Sequence, residues 1–287
     1  MKILLAVDGS DHSYEAARAL RFFSRAEAVT VLHVLDVPKP AYPMMMPEVA
    51  RELYVDLEQS MKEEGERLLD RIRSLLPMDS GPVTKQLVVG SPAEMIAKTV
   101  ESAQTDLIIM GARGLGPVKE RLFGSVSHRV LTMASCAKLI VNGPIQSMRQ
   151  ILLPLQGQPD AEAATRFLRF RPFRDPVEIA MLTVLPPTRA PWPVGAEAAG
   201  QLEQRALQSA RHFIDDVADR LGALGYQAKG SAALGSPAAT ILEETEKLRP
   251  DLILMGSSGR SGLTRFVLGS VAHAMLHQNR CPVLAFE

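Results

Sequence analysis

One stretch of this sequence occurs twice, and this internal repeat constrains the fold more than any other feature. Residues 106–111 (DLIIMG) recur as residues 251–256 (DLILMG), and the same offset relates residues 90–93 (GSPA) to residues 235–238. This period is much longer than the roughly 20 to 50 residues of a solenoid repeat. The chain is therefore predicted to contain a duplicated domain.

The length and composition of the chain agree with two ordinary domains. The 287 residues include 32 Lys and Arg and 32 Asp and Glu, so no basic excess indicates nucleic acid or an anionic membrane as a partner. No apolar run approaches the roughly 20 residues that span a bilayer, and two cysteines are too few for a disulfide framework. We expect a cytoplasmic protein with domains at residues 1–145 and 146–287.

Each copy alternates apolar strands with amphipathic helices, as is typical of α/β domains. In the first copy, strands are predicted at residues 2–8, 28–34, 83–89, 107–110 and 138–141. Helices are predicted at residues 11–24, 48–76, from residue 91 with a capping box of Ser91 and Glu94, and at 125–134. This order predicts two tandem, doubly wound, five-stranded parallel sheets, which bind ligands beyond the carboxyl ends of their strands.

The fourth predicted strand of each copy leads into a loop of spaced glycines. Glycine lets backbone amides approach an anion, and the N-terminus of the helix that follows favours negative charge. The loops are therefore predicted to cradle nucleotide phosphate; the alternative is that these glycines serve only turns and packing. Both loops fit G-x2-G-x9-G-S, with Gly111, Gly114, Gly124 and Ser125 in the first copy and Gly256, Gly259, Gly269 and Ser270 in the second.

The loop is neither a Walker A motif nor G-x-G-x-x-G. Together with residues 7–10 (VDGS), residues 32–34 (LHV), residues 90–92 (GSP) and Val126, it resembles the universal stress protein family in its tandem, two-domain form. The resemblance covers nearly the whole chain. It implies a Rossmann-like strand order of 3-2-1-4-5 in each copy. It also implies ATP binding, because the ATP-binding subgroup of the family uses this loop for the phosphates and the ribose.

The resemblance further implies the residues of an ATP site in the first copy. Asp8 would contact the nucleoside, although a turn or helix-cap role also explains an aspartate before Gly9 and Ser10. Val34 would contact adenine through its backbone. Phosphate and ribose would be held by Gly111, Gly114, Gly124, Ser125 and Val126, and the cations Arg113, Lys119 and Arg121 would either neutralise phosphate charge or simply be solvated.

The second copy departs from this pattern at one position. Aligning residues 5–8 on residues 153–156 places Gln156 where the first copy has Asp8. A charge-assisted hydrogen bond is about twice as strong as a neutral one, so its loss is expected to weaken binding by several-fold to about tenfold. The second site is therefore expected to be weak or lost. Its residues would be Gly256, Gly259, Gly269, Ser270 and Val271.

The sequence lacks the parts of an efficient nucleotide hydrolase. It offers no positioned base, no P-loop lysine and no paired carboxylates, so any Mg²⁺ would be carried by the phosphates of ATP. His273 and His277 are four residues apart but have no evident third metal ligand. The leading interpretation is an ATP-binding protein with a regulatory role in the stress response. The alternatives are a nucleotide-independent scaffold and a slow ATP hydrolase.

The last strand of each copy is expected to determine the assembly. Single-domain members of the family commonly pair through their last strands, and a tandem chain can do so internally, through residues 138–141 and 282–286. Such pairing would hide two sheet edges that otherwise invite aggregation. We therefore expect a pseudo-dimer within one chain, and the resemblance implies a further homodimer of whole chains.

Overall fold

A computed structural model describes residues 1–38, 46–114, 124–188, 196–257, 269–278 and 281–286, and these residues contain ten strands, eight α-helices and a short 3₁₀-helix (Leu20–Phe22). The strands are β1 (Lys2–Val7), β2 (Ala28–Leu35), β3 (Val83–Val89), β4 (Leu107–Gly111), β5 (Ala137–Val141), β6 (Gln150–Pro154), β7 (Glu178–Leu185), β8 (Gln227–Leu234), β9 (Leu252–Gly256) and β10 (Val283–Phe286). The helices are α1 (Asp11–Ala19), α2 (Pro47–Leu75), α3 (Pro92–Ala103), α4 (Ser125–Met133), α5 (Gln158–Leu168), α6 (Ala196–Ala223), α7 (Pro237–Leu248) and α8 (Ser270–Gln278).

All ten strands belong to one sheet, in the order β3-β2-β1-β4-β5-β10-β9-β6-β7-β8. Each copy contributes five parallel strands in the order 3-2-1-4-5, so the predicted topology is confirmed. The two halves join where β5 and β10 run antiparallel, with Leu139 opposite Leu284. The predicted pairing of the last strands therefore forms within one chain, and it merges the two sheets into one.

Both faces of the sheet are buried, which explains why its strands are apolar almost throughout. Successive side chains of a strand point to opposite faces. In β1, Ile3 and Leu5 enter the core on one face, and Leu4 enters the core on the other. Each of these two cores continues from the N-terminal copy into the C-terminal copy. The interior of the protein is thus shared between the copies.

A second contact between the copies lies where α1 ends. Helix α1 ends at Ala19 and continues as a 3₁₀-helix over Leu20–Phe22. The helical segment thus ends before the predicted residue 24, because the chain becomes extended at Phe23 and forms an antiparallel bridge with Phe173. The Ser24 N–H donates to the Pro172 carbonyl at 2.8 Å, and the rings of Phe23 and Phe173 lie 6.0 Å apart. We call this pairing of residues 22–24 with residues 172–174 the clasp. A contact from the other copy thus overrides the local helical pattern.

Two further details of the helices bear on the predictions. Helix α3 begins at Pro92 after its N-cap Ser91, but the predicted capping box does not form, because the Ser91 side chain makes no cap hydrogen bond. Glu94 instead pairs with Arg129 of α4, at 3.0 Å between Oε1 and Nη2. Among the helices in the described ranges, none has the length and the apolar character that crossing a membrane requires.

Candidate functional site

The switch in strand order of the N-terminal copy lies between β1 and β4. On one side of β1, Val7 pairs with His33 of β2, and on the other side Ala6 pairs with Met110 of β4. The connections after β1 and β4 leave toward opposite faces here, which opens a crevice at the carboxyl ends of the strands. Asp8 follows β1 directly at this crevice.

Asp8 is part of a tight turn that leads into α1. Its Oδ1 accepts the Ser10 N–H at 3.0 Å and the Ser10 hydroxyl at 2.6 Å. Ser10 caps α1 through its Oγ, and Gly9 has a φ of +83°, which only glycine adopts readily. The turn role that the sequence left open is therefore present. It engages one of the two carboxylate oxygens of Asp8.

The glycine loop lies directly against Asp8. A Cβ built on Gly114 would stand 2.2 Å from Oδ2 of Asp8, and the Ser10 hydroxyl lies 3.1 Å from the carbonyl oxygen of Arg113. A Cβ on Gly111 would stand 2.8 Å from the backbone of His12. The loop thus needs glycine at both positions for a close backbone approach. The structure brings the carboxylate and the loop together at one point, as the sequence predicts.

The far end of the loop opens α4. The N–H of Gly124 donates to the Ala112 carbonyl at 2.8 Å, which holds the two ends of the loop together. Gly124 is the N-cap of α4, and no side chain caps this helix. The backbone amides of the first turn, beginning at Ser125, therefore lie at the crevice without a side-chain partner from the cap residue. The buried Ser127 hydroxyl donates to the Gly111 carbonyl at 2.9 Å, which fixes α4 on β4.

Two valines border the same crevice. Val34, near the carboxyl end of β2, and Val126, in the first turn of α4, are both partly buried against the core on the α3 and α4 face. His33 Nδ1 donates to the Val7 carbonyl at 2.8 Å and so ties the ends of β2 and β1 together. The predicted residues Lys119 and Arg121 lie outside the described residues. The remaining predicted residues of the first site converge on this end of the sheet.

The C-terminal copy repeats this framework of loop and helix. Gly269 donates its N–H to the Ser257 carbonyl at 3.0 Å, as Gly124 does to Ala112, and it directly precedes Ser270 and α8. Gly256 ends β9, and Val271 lies in the first turn of α8. Gly259 lies outside the described residues. The two ends of this loop therefore have the same backbone hydrogen bond and the same helix start as in the N-terminal copy.

Asp160 distinguishes the second crevice, and the sequence analysis did not identify it. Its Oδ2 accepts the Gln156 N–H at 2.9 Å, and a Cβ on Gly256 would stand 2.8 Å from its Oδ1. Burial raises the pKa of Asp160, and the hydrogen bond from Gln156 partly offsets this rise. Extending the alignment that gave Gln156 by four residues would have found this carboxylate. Its neighbours include Leu182, Val184, Ile241, Met255 and Val271.

Histidines from both copies meet where α4 and α8 approach each other. The rings of His128 and His273 are 6.4 Å apart, and the rings of His273 and His277 are stacked at 4.2 Å. A third histidine is thus near the predicted pair. Within the described ranges, however, no group of three or more His, Cys, Asp or Glu residues has an arrangement that could hold a metal ion.

The two cysteines occupy equivalent, largely enclosed positions. Cys136 is buried, and the Cys281 thiol donates to the Pro250 carbonyl at 3.2 Å. Burial raises the pKa of Cys281 to about 12, and the nearby charge of Asp251 adds to this rise. A thiol with so high a pKa stays protonated and is a poor nucleophile. Cys281 therefore serves packing rather than thiol chemistry.

The fold and its loops define a class: tandem, doubly wound α/β proteins with a glycine-rich loop at each switch point. The profile of the universal stress protein family matches residues 1–142 and again residues 148–287. The chain therefore belongs to the universal stress protein family, with one family domain in each copy.

Individual relatives agree with this assignment. A universal stress protein of Mycolicibacterium smegmatis is 27% identical over 298 residues, which cover 98% of this chain and 95% of the relative. One from Methanocaldococcus jannaschii is 34% identical over 146 residues, which cover 50% of this chain and 82% of the relative. The crystal structure of a universal stress protein from Archaeoglobus fulgidus DSM 4304 has a TM-score of 0.66 at 20% identity, covering 99% of this chain and 95% of that one, and supports the fold.

Proposed function

We propose that this chain is an ATP-binding universal stress protein with a regulatory role in the stress response, and that the N-terminal copy holds the nucleotide. Asp8 and Val34 would contact the nucleoside. Mg²⁺ would be carried on the phosphates of ATP. Phosphate and ribose would be held by Gly111, Gly114, Gly124, Ser125 and Val126, with Arg113 beside them.

The contact between Gly114 and Asp8 carries this proposal. The loop comes so close to the carboxylate that a single Cβ at Gly114 would collide with Oδ2 at 2.2 Å. A carboxylate suits the hydroxyls of a ribose or the donors of a base, and the N-terminus of α4 suits a phosphate. One crevice thus offers an acceptor for the nucleoside next to amides for an anion, which is the combination that a nucleotide requires.

A route from this crevice to the other copy supports the regulatory part of the proposal. Ala112 follows Gly111, and its N–H donates to the carbonyl of Val141 at the end of β5, the strand that pairs with β10. Helix α4 begins in the loop and brings His128 to within 6.4 Å of His273 in α8. Ligand-induced changes in the loop would therefore act on elements that contact the second copy.

A single alanine substitution in the loop tests ATP binding. Gly114→Ala places a Cβ where Asp8 lies, so we expect the affinity for Mg-ATP to fall by more than tenfold in isothermal titration calorimetry. Gly143→Ala is the matched control, because a Cβ at Gly143 has nothing within 4 Å. Equal affinities of the two variants, or no adenine nucleotide bound by the unsubstituted chain, would contradict the proposal.

We also propose an assembly and a cellular location, on the basis of the family to which the chain belongs. The pairing of β5 with β10 already forms the pseudo-dimer within one chain. We propose that two whole chains form a further homodimer, and that the protein acts in the cytoplasm. Light scattering coupled to gel filtration distinguishes a mass of twice 31.3 kDa from that of a single chain. A monomer at micromolar concentration would contradict the homodimer without affecting the proposed ATP site.

A further inference from the structure

Asp160 of the C-terminal copy corresponds to His12 of the N-terminal copy. The alignment that places Gln156 on Asp8 also places Asp160 on His12. The geometry agrees, because a Cβ on Gly111 would stand 2.8 Å from the backbone of His12 and a Cβ on Gly256 would stand 2.8 Å from Oδ1 of Asp160. Each residue thus lies against the first glycine of its own loop. The C-terminal copy has a carboxylate at this position.

This carboxylate lies in the C-terminal crevice beside Gln156. Its Oδ2 takes the N–H of Gln156, the second residue after β6, at 2.9 Å. An anion entering the crevice toward Gly256 and the first turn of α8 would approach a negative charge that the protein itself supplies. Two like charges a few ångströms apart repel each other, and the repulsion grows as water is removed from between them.

The surroundings of Asp160 are mainly apolar. The cavity in which its carboxylate lies is lined mainly by apolar side chains, including Leu182, Val184, Ile241 and Met255. Partial burial raises the pKa of Asp160. The nearest polar neighbour in this lining is Gln156, which is uncharged. The negative charge of Asp160 therefore faces a ligand in the cavity across a mainly apolar lining.

We propose that Asp160 excludes nucleotide polyphosphates from the C-terminal crevice and so restricts ATP to the N-terminal copy. This inference rests on the proposed function, because it assumes that the glycine loops receive the phosphates. Gln156 offers a different explanation of weak binding. Replacing the aspartate by glutamine removes one charged acceptor from the crevice, but it adds no repulsion. Asp160 discriminates against the charge of a ligand, so adenosine, which has no phosphate, is not excluded by it.

Titrations in a Gly114→Ala background report mainly on the C-terminal crevice, because the N-terminal site is weakened there by more than tenfold. At pH 8, Asp160→Asn keeps an oxygen that accepts the Gln156 N–H and removes the charge. We expect it to tighten Mg-ATP binding at least tenfold and to change adenosine binding by less than twofold. Glu162→Gln is the matched control, because it removes one charge from the exposed side of the same helix and should change neither affinity.

A further variant separates Asp160 from Gln156. Gln156→Asp restores the aspartate of the N-terminal copy and is expected to bind Mg-ATP no better than the Gly114→Ala parent, because it adds a second negative charge. The inference is overturned if Asp160→Asn leaves Mg-ATP binding unchanged or undetectable, if it tightens adenosine equally, or if Gln156→Asp alone restores binding.

The outcomes also distinguish this inference from the proposed function. An unsubstituted chain that binds no Mg-ATP would contradict ATP binding by the N-terminal copy. A gain of binding in Asp160→Asn but not in Glu162→Gln would still support the role of Asp160. Conversely, an unsubstituted chain that binds two Mg-ATP would uphold ATP binding and overturn the exclusion by Asp160.

Discussion

At the scale of single residues, the aspartates that open the repeated segment stabilise the sheet. Asp106 and Asp251 directly precede β4 and β9, at the amino ends of the strands and away from the glycine loops. Asp106 Oδ2 accepts the Lys2 N–H at 2.7 Å, and Asp251 Oδ2 accepts the Gln150 N–H at 2.9 Å. Each carboxylate thus ties the start of the fourth strand of its copy to the start of the first strand.

The pH dependence of stability tests this role at Asp251. Burial alone would raise its pKa, but hydrogen bonds from the Gln150 N–H, the Ser147 hydroxyl and the Arg149 N–H lower it below the usual 3.8. Folding therefore favours the charged form of Asp251. The contribution of this carboxylate to the free energy of unfolding is complete above pH 3.8 and is lost as the pH falls through the lower pKa of the folded state. We expect Asp251→Asn to lower the free energy of unfolding by about 0.5 to 1 kcal/mol at pH 7, a small effect because the group is partly exposed.

Urea denaturation of the variant and the parent at pH 7 and pH 3 measures this difference. The expected result is a clear loss at pH 7 that shrinks at pH 3. Asp175→Asn, at an exposed position, serves as the control and should change stability at neither pH. A loss of the same size at both pH values would show that the charge of Asp251 is not the cause.

The motif of the N-terminal crevice can be recognised residue by residue in the sequence, whereas the contact between Asp160 and Gly256 cannot. Asp8 and the glycines belong to a motif whose spacing is visible in the sequence, and the structure brings Asp8 and Gly114 together. The importance of Asp160 arises from its distance to Gly256, a residue almost a hundred positions away in the chain. Sequence spacing within one motif contains no information about such a contact.

At the scale of elements, the strands and their order follow from local patterns, and the exceptions arise at long-range contacts. The helical segment of α1 ends before the predicted residue 24, because Phe23 pairs with Phe173 from the other copy. The capping box of α3 does not form, and Glu94 pairs with Arg129 of α4 instead. In both cases a partner distant in sequence outweighs a local preference.

The clasp is therefore a testable stabilising element. Phe23 and Phe173 are both buried, with side chains in contact across the two copies. We expect Phe173→Ala to lower the free energy of unfolding by about 3 kcal/mol, because it removes a buried ring and leaves a cavity. Phe170→Ala is the control, since this ring is 49% exposed and should cost much less. Equal midpoints of urea denaturation for the two variants would exclude a stabilising role for the clasp.

At the scale of the whole molecule, the two copies share one interior. The sheet continues through β5 and β10, both cores cross the junction, and the clasp adds a further connection. The glycine loops are attached to the same junction. Ala112 N–H donates to the carbonyl of Val141, and Ser257 N–H donates to that of Phe286, which are the last residues of β5 and β10.

This continuity predicts that the copies unfold together. We expect differential scanning calorimetry to show one transition, with a calorimetric enthalpy equal to the van 't Hoff enthalpy. Mg-ATP at about 100 times its Kd should raise the free energy of unfolding by about 2.7 kcal/mol and shift this entire transition, although the ligand binds only the N-terminal copy. Two transitions, with only one shifted by Mg-ATP, would mean that the junction does not couple the unfolding of the two copies. A signal from the nucleotide could then not reach the C-terminal copy through the junction.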